Sequence, residues 1–282
     1  MDDRIAREWA AAGTAGAIAE GLFNPTAVLQ VRGQLQPAAS TYTLVRDAVR
    51  RDGILRGMWL PGLVANCTRA FSYTGFRVGL YPTARDALPG DGFATRMLAG
   101  ALTGGVGATL FAPVELVRVR LAGATECTGT LSTFVALARK NSVGGLWRGA
   151  GPFALRCSCY SGAQCSIYDA SKRWLLASRV AGPVEDARLH LAASCIAGVG
   201  ATIACHPLDT VKTLVMHQAS TMAGGSPIRT LMHELTAKGS VGAIRALYGG
   251  LLPALLSRGP MVMVFFPLVE QLRTRVFGLE YI

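Results

Sequence analysis

The residues best placed to do chemistry in this sequence are charges set at fixed offsets from prolines inside apolar runs. Pro113 is followed by Glu115 and Arg118 in APVELVRVRLA, and Pro207 by Asp209 and Lys212 in HPLDTVKTLVM. The acid stands at +2 and the base at +5, so the two share one helical face. Charges in such apolar surroundings must pair or face water. A third proline, Pro25 in NPTAVLQVRGQ, has Ala27 and Gln30 at the same offsets. A second group forms stripes at four-residue steps: Arg69, Tyr73 and Arg77; Arg156, Tyr160 and Gln164; Ser257, Met261 and Phe265. Each step drifts about 40° round a helix of 3.6-residue period. Arginine stays charged and grips carboxylate or phosphate through two parallel hydrogen bonds, so the chemistry on offer is anion recognition.

Covalent catalysis has no equipment here. The strings G-x-x-x-x-G-K-[ST], G-x-S-x-G and H-E-x-x-H do not occur. His190, His206, His217 and His233 are scattered, and the seven cysteines (67, 127, 157, 159, 165, 195 and 205) form no C-x-x-C pair. Neither a metal site nor a cofactor is expected, and the thiols are expected to be free and buried.

The elements that carry these residues are apolar. Of 282 residues 51% are hydrophobic and only 16% charged, against about 25% in soluble domains. Mean hydropathy is +0.35. The net charge is nevertheless +11, which in an apolar chain points to basic loops or a basic interior handling anions or anionic lipid. Nucleic acid is not an expected partner, because Lys and Arg concentrate on no groove-reading element. The start, MDDRIAREWAAAG, opens with two adjacent acids and has no apolar core, so any targeting information is expected to be internal.

Aligning the chain on Pro25, Pro113 and Pro207 reveals a threefold repeat, with the prolines 88 and 94 residues apart. Gly16, Gly104 and Gly198 each lie nine residues upstream. A second apolar segment follows in each repeat, entered by an aromatic residue and glycine, as in RALYGGLLPALLSRG. Between the two lies a more polar piece with a short amphipathic pattern, such as Leu44, Val45, Ala48 and Val49 against Arg46 and Arg50. Three repeats of two segments predict six membrane-length helices. The repeats are read as residues 1–90, 91–180 and 181–282.

Three copies of P-x-[DE]-x-x-[KR] in register, two intact and one altered, with upstream glycines and downstream aromatic-glycine segments, resemble the mitochondrial carrier family. The likeness spans essentially the whole chain. It implies an all-α membrane protein: three tandem repeats of two transmembrane helices plus a short matrix helix, closed into a pseudo-three-fold six-helix barrel. It further implies multi-pass residence in the mitochondrial inner membrane and alternating access between two charge networks. ALYGGLLPALLSRGPMVMVFFPLVEQL is closest to the uncoupling, dicarboxylate and oxoglutarate branch, and the arginine-run signature of ADP/ATP exchangers is absent.

Under this resemblance the matrix gate comprises Glu115, Arg118, Asp209, Lys212 and Gln30, beside the helix-kinking Pro25, Pro113 and Pro207. With Ala27 and Gln30 in the first repeat, one charged ring pair remains, Glu115 with Lys212. Arg118 and Asp209 are expected to lose their charged partners, with Gln30 free to hydrogen-bond Asp209, and the gate to be weak. The cytoplasmic gate, [FY]-[DE]-x-x-[KR], is carried by Asp169 and Lys172, by Glu270 and Arg273, and by Arg85, where Pro82 replaces the acid. Substrate contacts are implied at Arg69, at Arg156 with Cys157, and at Ser257 with Arg258, which lies about 100° further round the helix. Arg77 and Gln164 continue the stripes. Glu20, five residues before Pro25, stands as a proton-linked group or as a local partner of Arg69 or Arg77.

Two functions remain in view. The first is a carrier of small organic anions, di- or oxo-carboxylates, with proton linkage through Glu20. The second is a carrier fold that no longer transports and serves as a structural subunit of a larger inner-membrane respiratory assembly. Ala27, Gln30, Pro82 and Ser257 speak for the second, and Arg69, Arg77 and Arg156 for the first. Membrane lipid, cardiolipin in particular, is the further expected partner.

Overall fold

The computed structural model describes residues 2–90, 92–124, 129–177, 187–221, 227–237 and 239–276. Every element among them is helical. In the first repeat, α1 (Asp2–Leu22) breaks at Phe23 and resumes as α2 (Asn24–Leu35). The connecting helix α3 (Thr41–Ile54) follows, then α4 (Leu63–Arg69) and α5 (Gly75–Asp86), joined by a π-helical turn at Ala70–Thr74. The second repeat has α6 (Phe93–Leu110), α7 (Ala112–Gly123), α8 (Thr130–Gly145) and α9 (Ala150–Ala177). The third has α10 (Ala187–Thr221), α11 (Pro227–Ala237), α12 (Gly239–Leu247) and α13 (Leu251–Gln271), with a π-helical extension over Leu272–Val276.

Proline explains the breaks. Pro25 and Pro113 occupy the first turn of α2 and α7, where the missing N–H costs nothing. The chain bends by 70° between α6 and α7. Pro207 differs, since α10 runs through it without interruption. Hence two of the three expected kinks are full breaks.

The long helices close a ring. α1 packs on α5, α5 on α6, α6 on α9, α9 on α10, α10 on α13, and α13 returns to α1. Small residues permit the close approaches. A Cβ on Gly75 would fall 1.8 Å from Cδ1 of Trp9 on α1. Gly250 closes the turn into α13 at φ +73°, and a Cβ there would sit 2.5 Å from the Gln30 carbonyl oxygen. The largest buried apolar cluster joins α2, α7, α9 and α10 through Val28, Leu116, Val119, Phe153 and Met216. The connecting helix α3 lays Leu44 and Ala48 against Leu29 and Met58, the apolar face its sequence pattern predicts.

The outer surface is apolar. Leu98, Leu102 and Val106 of α6, Ile196, Val199 and Ile203 of α10, and Leu252 and Leu256 of α13 are all exposed. Such stripes suit lipid. Hydropathy alone detects less: among the described residues, Gly239–Val276 and the bent pair Phe93–Leu110 with Ala112–Gly123 are long and apolar enough to cross a membrane.

Candidate functional site

The inner faces of the ring enclose a cavity of about 230 Å³. Its lining includes six bases (Arg69, Arg77, Arg118, Arg156, Lys212 and Arg258) and three acids (Glu20, Glu115 and Asp209), an excess of three positive charges. Gln30, Tyr160, Gln164 and Ser257 also line it.

Two buried carboxylates organise the bases. Glu115, on α7, is only 1% exposed. Arg118, one turn on, donates to it through Nε at 2.9 Å and Nη2 at 2.7 Å. Lys212 of α10 donates from the neighbouring repeat and rests 4.8 Å above the Phe153 ring. Arg69 of α4 approaches the same carboxylate at 3.5 Å. The ring pair of Glu115 with Lys212 thus forms, with two further cations around it.

Asp209, on α10, is the second centre. Gln30 Nε2 donates to its Oδ2 at 2.6 Å, and Gln34 Nε2 donates to the same oxygen at 3.0 Å. Arg156 of α9 forms an ion pair with Oδ1 at 2.9 Å. This corrects the expectation that Arg118 and Asp209 stand without charged partners. Arg118 turns back to Glu115 on its own helix, and Asp209 draws Arg156 across the cavity. Side chains of this length reach well beyond their ring neighbours, so pairing follows proximity, not repeat order. Below these pairs Arg32 ties the first repeat to the second, donating to the carbonyls of Ala122 at 3.2 Å and Gly57 at 3.0 Å.

Glu20 pairs with Arg69 and accepts a hydrogen bond from Asn66 Nδ2 at 3.1 Å. Of its two sequence readings, the structure displays the local ion pair. Both arginines expected to meet substrate, Arg69 and Arg156, are therefore occupied by acids of the protein. Arg77 and Arg258 line the cavity with no carboxylate within ion-pair distance among the described residues. Arg258 faces the cavity despite its 100° offset from Ser257, and lies 5.4 Å from the Tyr160 ring centre. Arg156 lies 5.1 Å from that same ring. Ser257 is buried and its Oγ donates to the Ala254 carbonyl at 3.0 Å. The π-helical turn falls inside the Arg69–Tyr73–Arg77 stripe and alters its phase, a departure that fixed four-residue steps do not anticipate.

At the opposite end lie the residues expected to form the second charge network. Arg85 pairs with its neighbour Asp86 at 3.5 Å, both well exposed. Arg273 is buried and donates to Glu8 of α1 at 2.6 Å. Asp169 and Lys172 are half-buried on α9. The Glu270 side chain lies outside the described residues. Sequence reasoning passed over Glu8, although the rule that singled out Glu20, a carboxylate in an apolar helix, applies equally to it. Gln34 carried a weaker signal, its +9 offset from Pro25.

Among the described residues no cluster of His, Cys, Asp and Glu is built to hold a metal ion. His206 meets the Gly249 carbonyl at 2.9 Å. The described thiols are free, and only Cys157 and Cys205 are buried; Cys159 and Cys195 are exposed, contrary to expectation, on the surface that suits lipid. Cys127 and the Cys165 side chain lie outside the described residues.

A family model described as "Mitochondrial carrier protein" matches three successive stretches, residues 2–92, 89–179 and 185–279. The chain is 27% identical to a probable mitochondrial 2-oxoglutarate/malate carrier protein of Dictyostelium discoideum, over 94% of this chain and 88% of that one. It is 29% identical to the putative mitochondrial transporter UCP3 of Mus musculus, over 95% and 92%. Identity to the mitochondrial brown fat uncoupling protein 1 of Bos taurus is 26%, over 93% and 89%.

Proposed function

Because the chain belongs to the mitochondrial carrier family, multi-pass proteins of the inner membrane, we propose that it carries a small di- or oxo-carboxylate across that membrane by alternating access. The observation that carries this reading is the charge of the cavity. Three positive charges remain after every lining acid is counted, and two of the bases, Arg77 and Arg258, have no carboxylate within ion-pair distance among the described residues. A dianion neutralises such a pair, and Tyr160, Gln164 and Ser257 supply polar groups to orient it. The similarity to a protein named as a 2-oxoglutarate/malate carrier supports the carboxylate class. If transport is proton-linked, Glu20 is the group to carry the proton, since it lines the cavity and exchanges a proton once Arg69 leaves it.

The test is uptake of malate and 2-oxoglutarate into liposomes holding the purified protein, alongside thermal stabilisation by the same anions. Wild type should take up at least one and be stabilised by it, and Arg77→Ala with Arg258→Ala should lose both. A second reading, a carrier fold serving as a structural subunit, draws on one observation: Arg69 and Arg156 are held by the protein's own acids. No uptake, no stabilisation and co-purification with a large membrane assembly would decide for it.

A further inference from the structure

We propose that Arg156 serves as the gate cation the first repeat lacks, with Arg69 beside it on Glu115, so that the anion opens the gate by drawing the two arginines from Asp209 and Glu115. The inference rests on the anion-carrier reading above and asks how that cargo is coupled to the gate. At the offset where Arg118 and Lys212 stand in the other repeats, the first repeat has Gln30. Asp209 accordingly receives an amide from that repeat, at 2.6 Å. Its cation comes from elsewhere: Arg156, on the cavity face of α9, at 2.9 Å. Arg69 approaches Glu115 at 3.5 Å as a third cation there, while also pairing with Glu20.

One guanidinium then has two competing acids, the protein's and the cargo's. When a cargo carboxylate engages Arg156, Asp209 loses its cation but not its hydrogen bonds, because Gln30 and Gln34 stay on Oδ2. Glu115 likewise keeps Arg118 and Lys212 when Arg69 departs. Glu115 keeps two cations and Asp209 keeps two hydrogen bonds, so neither carboxylate is left buried without polar partners, the outcome that would make release prohibitive. Binding and unlocking become a single exchange of partners, and part of the anion's affinity is consumed in it.

The experiment restores the missing charge. Gln30→Lys gives Asp209 a cation from the first repeat and releases Arg156. Half-saturating concentrations of malate, 2-oxoglutarate and inorganic phosphate are read from thermal shifts of the full chain in detergent. The expected result is a fall of about fivefold or more for the anion that binds, with slower exchange in liposomes. Ala27→Lys is the control for added charge, since Ala27 also lines the cavity on α2. A Gln30→Lys value unchanged, or no lower than that of Ala27→Lys, overturns the proposal. Asp209→Asn, which frees Arg156 without adding a side chain, should also tighten binding; weaker binding there overturns it as well. If none of the three anions binds wild type, this proposal and the carrier reading fall together. If wild type binds and Gln30→Lys does not tighten, this proposal alone falls.

Discussion

Gln30 and Asp209 meet across 179 positions of sequence, the amide Nε2 donating to the carboxylate Oδ2 at 2.6 Å. The contact joins the first repeat to the third by a neutral donor where the repeat pattern calls for a cation. A neutral donor satisfies the carboxylate oxygen but leaves its charge unbalanced. Asp209 is nonetheless buried, and the deficit is met by Arg156. The altered repeat thereby leaves the charge of Asp209 to a residue of the cavity wall.

Glu115 is the most heavily used acid, and its loss should be the most damaging single change at the site. Glu115→Gln keeps the shape but removes the charge facing Arg118, Lys212 and Arg69. Lys212 is 3% exposed and would be left without its closest acid. Breaking a buried pair in this way costs about 3–5 kcal/mol. The unfolding midpoint in detergent should fall by about 5 °C or more. An unchanged midpoint would mean that the three bases find other partners.

Two glycines should respond in opposite senses to the same substitution. Gly75→Ala drives a methyl into Trp9, 1.8 Å from Cδ1 and 2.8 Å from the backbone oxygen. Overpacking of that kind costs about 1–3 kcal/mol. Gly198, inside α10, has no neighbouring atom within 4 Å of a new Cβ. Alanine there should add about 0.5–1 kcal/mol through backbone entropy. Thermal unfolding of both variants checks the order; equal midpoints would refute the close packing of α1 on α5.

Glu8 and Arg273 link the first membrane helix to the last and should behave as a coupled pair. Glu8→Gln or Arg273→Leu alone leaves a charge in a buried site, at a cost of about 3–5 kcal/mol. The double variant should lose less than the two single losses combined, with a coupling of about 0.5–3 kcal/mol. Strict additivity in chemical or thermal unfolding would show that the contact at 2.6 Å contributes nothing to closing the ring.

Much of the architecture was legible in the residues. Pro25, Pro113 and Pro207 with their upstream glycines marked the repeats, and Leu44 with Ala48 marked the buried face of α3. Glu115 with Lys212 was legible through the resemblance, as the one charged pair left in the sense round the ring that the family implies. The π-helical turn at Ala70–Thr74 was not, since its extra residue per turn leaves no trace in a short apolar string. Nor was Glu8 with Arg273, which joins the two ends of the chain across 265 positions.

What the sequence determined by itself is what depends on nearby residues: where helices break, which face is apolar, and which sign of charge turns inward. Which acid holds which base was decided only by the tertiary structure. Arg69, Arg118, Arg156 and Lys212 share one cavity with Glu20, Glu115 and Asp209. Each long side chain can reach more than one acid there. Buried charges take the nearest partner that satisfies them, and nearness across a ring of helices is set by its packing, which offsets along the chain do not encode.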